Sequence, residues 1–291
     1  MNYENLEQTA LAAGTGYATY TGGKILLNKA KKPYVSKVAL KSMQNYSAED
    51  NKLLSEAASK ALEKSPLKDK VIINNINPDN YEKFAEEVDK KSNDKINKLI
   101  KKIFPKKELT SKDKENSLKK LKNKFKLMGN GKNACFVSLT NQVYVNNEKM
   151  SAATFHELGH AKNANTKGFG KLMHNIRGPF ALAVPLILSV GLLKRKKEDG
   201  EKPVGAIDKT TTFIKDNAGK LTFFAMLPTL VEEGLASIKG AKLAKDGGLS
   251  ANLLKRVNTG NFKAWTTYLL GTLITVGAVK LGIEVSDKMK K

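Results

Sequence analysis

The chain has 291 residues and a formal net charge of +23 at pH 7, from 51 Lys and Arg against 28 Asp and Glu. This length supports a packed core in one large domain or two modest ones. The single cysteine, Cys135, excludes an intrachain disulfide and a four-cysteine zinc site, and it fits a reducing compartment. Nearly all of the positive charge is lysine, whereas base and phosphate recognition favours arginine. We therefore expect membrane lipids, and no nucleic acid, as partners.

The N-terminal region, residues 1–32, is predicted to form an apolar segment. Residues 9–23 are uncharged and mostly small, two glutamates precede them, and a cluster of lysines follows. This pattern is typical of a membrane helix with small-residue packing faces, and also of a glycine-rich soluble segment. In a membrane helix, this order of charges would leave the central part of the chain in the cytoplasm. The basic loop at 194–202 favours the opposite orientation.

Residues 33–132 are predicted to be a Lys-rich helical region. Apolar residues at helical spacing predict an amphipathic helix over 34–70, and residues 71–73, Val-Ile-Ile, predict a short strand. Two helices with solvated, lysine-rich outer faces are expected over 83–132, joined near Pro105. Base stacking would require aromatic residues interleaved with the lysines, and this region lacks that pattern.

A strand pair and a further helix are predicted next. Residues 134–145 have strand composition and predict a hairpin or one bent strand. Ser151 is expected to cap a helix that continues to about Asn165. The sequence His-Glu-Leu-Gly-His, residues 156–160, lies in the middle of that helix.

This motif carries the chemistry that the sequence predicts. Positions four residues apart lie on one face of a helix, so His156 and His160 can direct imidazole nitrogens at one cation. Glu157 then lies beside the metal and can act as the general base that takes a proton from an activated water. The chain has only three histidines, and two of them are in the motif. The spacing predicts a zinc site with Glu157 as the catalytic residue.

A catalytic zinc ion usually has three protein ligands, so a third must come from elsewhere in the chain. Two candidates present themselves: the pair Glu232 and Glu233, and His174. The paired carboxylates follow an apolar run, where two negative charges are costly unless a cation compensates them. His174 has polar neighbours and needs no such explanation. A glutamate is therefore the favoured ligand.

Three apolar stretches lie in the last 115 residues of the chain, at 178–193, 221–231 and 264–279. Each is shorter than the roughly 20 residues that a spanning helix requires. Flanking lysine and arginine side chains can extend to the interface, although buried helices of soluble proteins have similar lengths. Trp265 and Tyr268 lie at one end of the third stretch, as in an interfacial aromatic belt. We expect at least one stretch to insert into a membrane.

Over about residues 133–239 the sequence resembles the membrane gluzincin metallopeptidases, which include the CaaX prenyl-protein endopeptidases and the HtpX-like heat-shock proteases. The resemblance consists of Asn-Ala-Cys-Phe at 133–136, Phe-His-Glu-Leu-Gly-His-Ala-Lys-Asn at 155–163, two apolar segments, and then a Glu-x-x-Ala motif. In that family the glutamate of Glu-x-x-Ala-Asp is the third ligand, which corresponds to Glu233. Ser237 stands where the family has its aspartate, a residue that normally orients a histidine ligand.

The resemblance implies a mainly α fold with a small β-sheet: a zincin-like domain over 133–245 interrupted by apolar helices at 178–193 and 221–231. A C-terminal apolar helix and a basic tail follow at 246–291. It implies a zinc endopeptidase with His156, His160 and Glu233 as ligands. Together with the charges that flank residues 9–23, it leads us to expect a bacterial inner membrane and a cytoplasmic active site. A protein or peptide substrate would add as a strand near 134–140. A noncatalytic membrane or interaction protein that retains the fold is the alternative, and Cys135 is expected to be a small buried residue rather than a nucleophile.

Overall fold

The computed structural model describes residues 3–103, 108–194 and 201–290. The described chain is mainly helical with one small sheet, as the sequence predicts. Its α-helices are α1 (Tyr3–Tyr34), α2 (Lys41–Gln44), α3 (Ala48–Glu63), α4 (Tyr81–Ile103), α5 (Ser111–Gly129), α6 (Ala153–Asn165), α7 (Phe169–Ala181), α8 (Ala183–Leu193), α9 (Gly205–Asp216), α10 (Ala218–Asp246) and α11 (Ala251–Met289). A π-helical turn, Val35–Leu40, joins α1 to α2. The strands are β1 (Ile72–Asn75), β2 (Cys135–Val137) and β3 (Gln142–Val145).

The chain divides into two compact units built from non-consecutive segments. The first, which we call the apolar unit, comprises the described residues of Met1–Val38, Leu172–Glu233 and Ala264–Lys291. The second, the motif unit, comprises Ala39–Lys171 and Gly234–Lys263. Helices α10 and α11 each contribute residues to both units.

The motif unit contains the three-stranded sheet, in the order β1-β3-β2. β3 pairs with β1 in parallel and with β2 antiparallel, so residues 134–145 form the predicted hairpin. Tyr144 of β3 is fully buried, and its ring lies edge-on to Phe84 of α4 and Phe125 of α5, with centroids 5.4 and 5.0 Å away. Such aromatic contacts anchor the two Lys-rich helices on the sheet and leave their lysines outside.

The apolar unit is built from helices. Its core contains Val184 and Leu188 of α8, Ala225 of α10, and Val279 and Ile283 of α11. Helix α1 runs along α11 in the opposite direction: Gly16 lies against Gly282, and the Tyr34 hydroxyl is 2.5 Å from the Thr266 hydroxyl. A Cβ at Gly16 would lie 2.5 Å from the Gly282 carbonyl oxygen, so glycine is required at this contact. The small residues of α1 therefore form a helix-packing face.

Among the described residues, three helical segments are long and apolar enough to cross a membrane: Phe169–Leu193, Ala218–Asp246 and Ala251–Met289. Each contains one of the three apolar stretches and extends it to spanning length. This composition indicates association with a membrane. Helix α1 is not one of these three segments.

The structure differs from the sequence-based prediction at two helix starts, and two predicted features lie outside the described residues. The helix expected over 34–70 is interrupted, because the Ser47 hydroxyl accepts a hydrogen bond from the Asp50 amide and starts α3 as a separate helix. Ser151 does not cap α6: its hydroxyl donates to the Asn147 carbonyl, and the N-cap position is Ala152. Pro105 and residues 195–200 of the basic loop lie outside the described residues.

Candidate metal centre

Helix α6 carries the His-Glu-Leu-Gly-His motif in the interior of the motif unit. All five residues of the motif are buried, and the helix contacts β2, β3 and α3. Gly159 faces α10 so closely that an added Cβ would lie 2.0 Å from the Ala236 carbonyl oxygen. Gly240 of α10 also lies close to α6, since a Cβ there would be 2.4 Å from the Phe155 carbonyl oxygen. The two helices therefore meet main chain to main chain at the motif.

The two motif histidines converge on one point. The Nε2 atoms of His156 and His160 are 3.0 Å apart, and both side chains are buried. Zinc–nitrogen bonds of about 2.0–2.1 Å at tetrahedral angles would place two such nitrogens roughly 3.3 Å apart. One ligand atom each from His156, Glu157 and His160 lies within 4.8 Å of the others. These three residues could hold a metal ion, and the nitrogen spacing is close to that of a zinc site.

Glu157 is held by the backbone of β2. The amide of Phe136 donates a 2.6 Å hydrogen bond to Glu157 Oε2. This contact fixes the orientation of a buried carboxylate and satisfies one of its oxygens. The strand that carries it is at the edge of the sheet, because β2 is paired with β3 alone among the described strands.

His156 is oriented through its other ring nitrogen. Ser237 Oγ of α10 lies 3.2 Å from His156 Nδ1. A histidine that binds a metal through Nε2 carries its proton on Nδ1 and usually donates it to an acceptor, which fixes the ring. Ser237 stands at the position of the expected aspartate, and its hydroxyl reaches one of the two motif histidines.

Glu233 is buried in α10, in the apolar unit. It lies four residues, one helical turn, before Ser237, so the two residues share a face of the helix. The two alternative ligands are engaged with one another, because Glu232 Oε1 is 3.1 Å from His174 Nδ1. Arg177 of α7 also pairs with Glu232, and this partner was not anticipated from the sequence. In the sequence, the only hint of this pairing is that Arg177, one of three arginines in the chain, lies three residues after His174.

Cys135 is a poor nucleophile in this environment. Burial raises the pKa of its thiol to about 12, with a further increase from Glu157 and a partial offset from Lys124. The thiolate is the reactive form of cysteine, so the Cys135 side chain is largely unreactive near neutral pH. The Cys135 side chain is only partly buried, so it is less enclosed than expected.

The chain matches no protein-family model, no curated protein and no solved structure.

Proposed function

We propose that this protein is a membrane-associated zinc endopeptidase of the gluzincin type, which hydrolyses peptide bonds of protein substrates. The observation that carries the proposal is the convergence of His156 and His160 Nε2 atoms beside Glu157, all buried on one helix. Buried histidines and carboxylates at this spacing are uncommon without a cation. Three helical segments of spanning length support the membrane assignment.

Glu233 is the proposed third ligand. Its position in α10, one helical turn before Ser237, supports this proposal. Glu232, its neighbour, already has His174 and Arg177 as partners. A ligand set of two histidines and one glutamate leaves a fourth position open, as catalytic zinc sites do.

In the proposed reaction, zinc supplies activation of a water molecule and polarisation of the scissile carbonyl. Glu157 accepts the proton of the attacking water on its carboxylate and delivers it to the nitrogen of the departing amine. The Phe136 amide holds Glu157 Oε2, so Oε1 is the oxygen that we assign to proton transfer. Residues of β2 align an extended substrate as an added strand at the edge of the sheet.

Zinc content and casein hydrolysis of the 291-residue chain in detergent test this function. We expect about one zinc ion per chain, and loss of zinc from a His156→Ala/His160→Ala variant. Glu157→Gln should retain zinc and lose hydrolysis by about 10²–10⁴-fold, whereas the exposed Glu148→Gln should behave like wild type. A chain without zinc, or a Glu157→Gln variant of full activity, would contradict the proposal. Zinc binding without hydrolysis would favour the noncatalytic alternative.

The active site is proposed to face the cytoplasm. Acidic residues precede the uncharged stretch of α1 and lysines follow it, and α1 packs along α11, which contains a segment of spanning length. By the positive-inside rule the lysine-rich end of such a helix stays in the cytoplasm. Reporter fusions after residues 38 and 216 test this: the first should report a cytoplasmic and the second an external position. The reverse pattern would contradict the orientation.

A further inference from the structure

Helix α9, in the apolar unit, meets the ends of all three segments that are long and apolar enough to cross a membrane. Its Asp208 forms an ion pair with Lys194, the residue that follows α8, and its Lys215 donates a 2.5 Å hydrogen bond to the Lys194 carbonyl. Lys215 also pairs with Asp287, near the end of α11. Helix α10 begins two residues after α9 ends. In a membrane, α9 would therefore lie at the level where these segments reach the surface.

The inward face of α9 is polar. The four positions at i, i+3, i+4 and i+7 that are buried or half-buried here are Asp208, Thr211, Thr212 and Lys215. In a surface helix of a soluble protein, this stripe holds the apolar residues that face the core. Here it holds an acid, two hydroxyls and a buried lysine, which bind the ends of neighbouring helices. The packing of α9 on the apolar unit therefore depends on ion pairs and hydrogen bonds.

Large apolar side chains lie instead on the open sides of α9. Val204, at the N-cap, and Ile207 are each 83% exposed, and Phe213 is 58% exposed. Lys209 and Asp216 are exposed on the same helix. With 12 residues, α9 is about 18 Å long, too short to cross a hydrocarbon core of roughly 30 Å. A short helix that exposes both apolar and charged side chains suits the membrane interface, where the former enter the acyl boundary and the latter reach the headgroups.

We infer that α9 is an interfacial helix, which lies in the headgroup region of the membrane with Val204, Ile207 and Phe213 embedded in lipid. The location identifies lipid as the partner. Leu193, next to Lys194 at the end of a segment of spanning length, is also exposed, so open apolar surface extends from that segment to the level of α9. The inference rests on the membrane association of the chain and uses neither zinc binding nor hydrolysis.

Spin labels on the 291-residue chain, reconstituted in liposomes of phosphatidylcholine and phosphatidylglycerol, test the inference. Ile207→Cys and Phe213→Cys are labelled singly in a Cys135→Ala background. Collision of each label with oxygen, which concentrates in lipid, is compared with collision with a water-soluble nickel chelate. Both labels should show an oxygen-to-nickel ratio several-fold above that of Lys119→Cys, at an exposed position of α5. Leu186→Cys, at an exposed position within a segment of spanning length, is the lipid reference and should give a still higher ratio.

Ratios at Ile207 and Phe213 as low as the ratio at Lys119 would overturn the inference, because these side chains would then face water. Low collision with both agents would also overturn it, since a protein surface, such as a second copy of the chain, would then cover α9 in place of lipid. A label at Leu186 that favours the nickel chelate would contradict the membrane association on which the inference rests. Zinc content and casein hydrolysis do not enter this measurement, so the proposed enzymatic function and the interfacial helix can fail independently.

Discussion

Gly159 of α6 lies directly against the main chain of Ala236 in α10, with space for a hydrogen atom but not for a methyl group. A Cβ at Gly159 would lie 2.0 Å from the Ala236 carbonyl oxygen, a contact that only a shift of one helix can relieve. Because the motif histidines and Ser237 lie on these same two helices, such a shift would also disturb the candidate metal centre.

Gly159→Ala should therefore destabilise the protein even though alanine is the better helix former. Overpacking of this kind costs about 1–3 kcal/mol, and a contact of 2.0 Å with main chain should exceed the ~1 kcal/mol that alanine gains over glycine within a helix. Thermal unfolding in detergent would show a lower midpoint, together with weaker zinc binding. Gly178→Ala is the matched control, because nothing lies within 4 Å of a Cβ at that position. A Gly159→Ala variant as stable as this control would refute the close packing of α6 on α10.

Ser237→Ala should weaken zinc binding without removing a ligand. The Ser237 hydroxyl is the group 3.2 Å from His156 Nδ1, and loss of such a hydrogen bond typically costs 10–100-fold in metal affinity. Chelator competition measures the change. Ser59→Ala, at an exposed helical serine, should leave the affinity unchanged. Equal zinc affinities in the Ser237 and Ser59 variants would mean that another group orients His156.

Cys135 should resist alkylation in the folded protein. With a pKa raised to about 12, its thiolate fraction at pH 8 is about three orders of magnitude below that of a thiol with the ordinary value near 8.5. Labelling with iodoacetamide should therefore be slow until denaturant is added. Cys135→Ala should keep both zinc and hydrolysis, since the proposed mechanism uses no thiol. Rapid native labelling, or loss of hydrolysis in a zinc-loaded variant, would contradict this prediction.

An ion pair in the motif unit predicts acid sensitivity. Arg256 Nη1 donates a 2.8 Å hydrogen bond to Asp50 Oδ2, and Nη2 donates a 2.6 Å bond to the Asn45 carbonyl. The Arg256 hydrogen bond is the largest influence on Asp50 and lowers the pKa of its carboxyl below the usual value. The folded state then binds this proton less readily than the unfolded state, so the pair stabilises the fold above the unfolded pKa of about 3.9.

This stabilisation should disappear as the pH falls through the lowered pKa of Asp50. The difference in unfolding free energy between wild type and Asp50→Asn should be constant above about pH 5 and should shrink below about pH 4. Urea unfolding at several pH values measures it, with the exposed Asp69→Asn as control. A difference that grows on acidification would show that the carboxylate is not the stabilised form.

The sequence by itself determined the features that depend on local spacing. The i, i+4 separation of His156 and His160 is sufficient to align two imidazoles on any helix, and the structure makes 153–165 a helix with their Nε2 atoms together. Strand composition at 134–145 predicted a hairpin or one bent strand, and the pairing of β2 with β3 decided for the hairpin. Lysine-rich amphipathic periodicity predicted α4 and α5.

Only the tertiary structure decided which distant side chains meet. That Ser237 reaches His156, 81 residues earlier, and that Arg177 pairs with Glu232 follow from the packing of whole helices, which no local pattern encodes. The same holds for Gly159, whose role is visible only once α10 lies against it. The physical reason is that local propensity depends on near neighbours along the chain. A buried charge such as Glu232, or a required glycine such as Gly159, is instead explained by the element that packs against it.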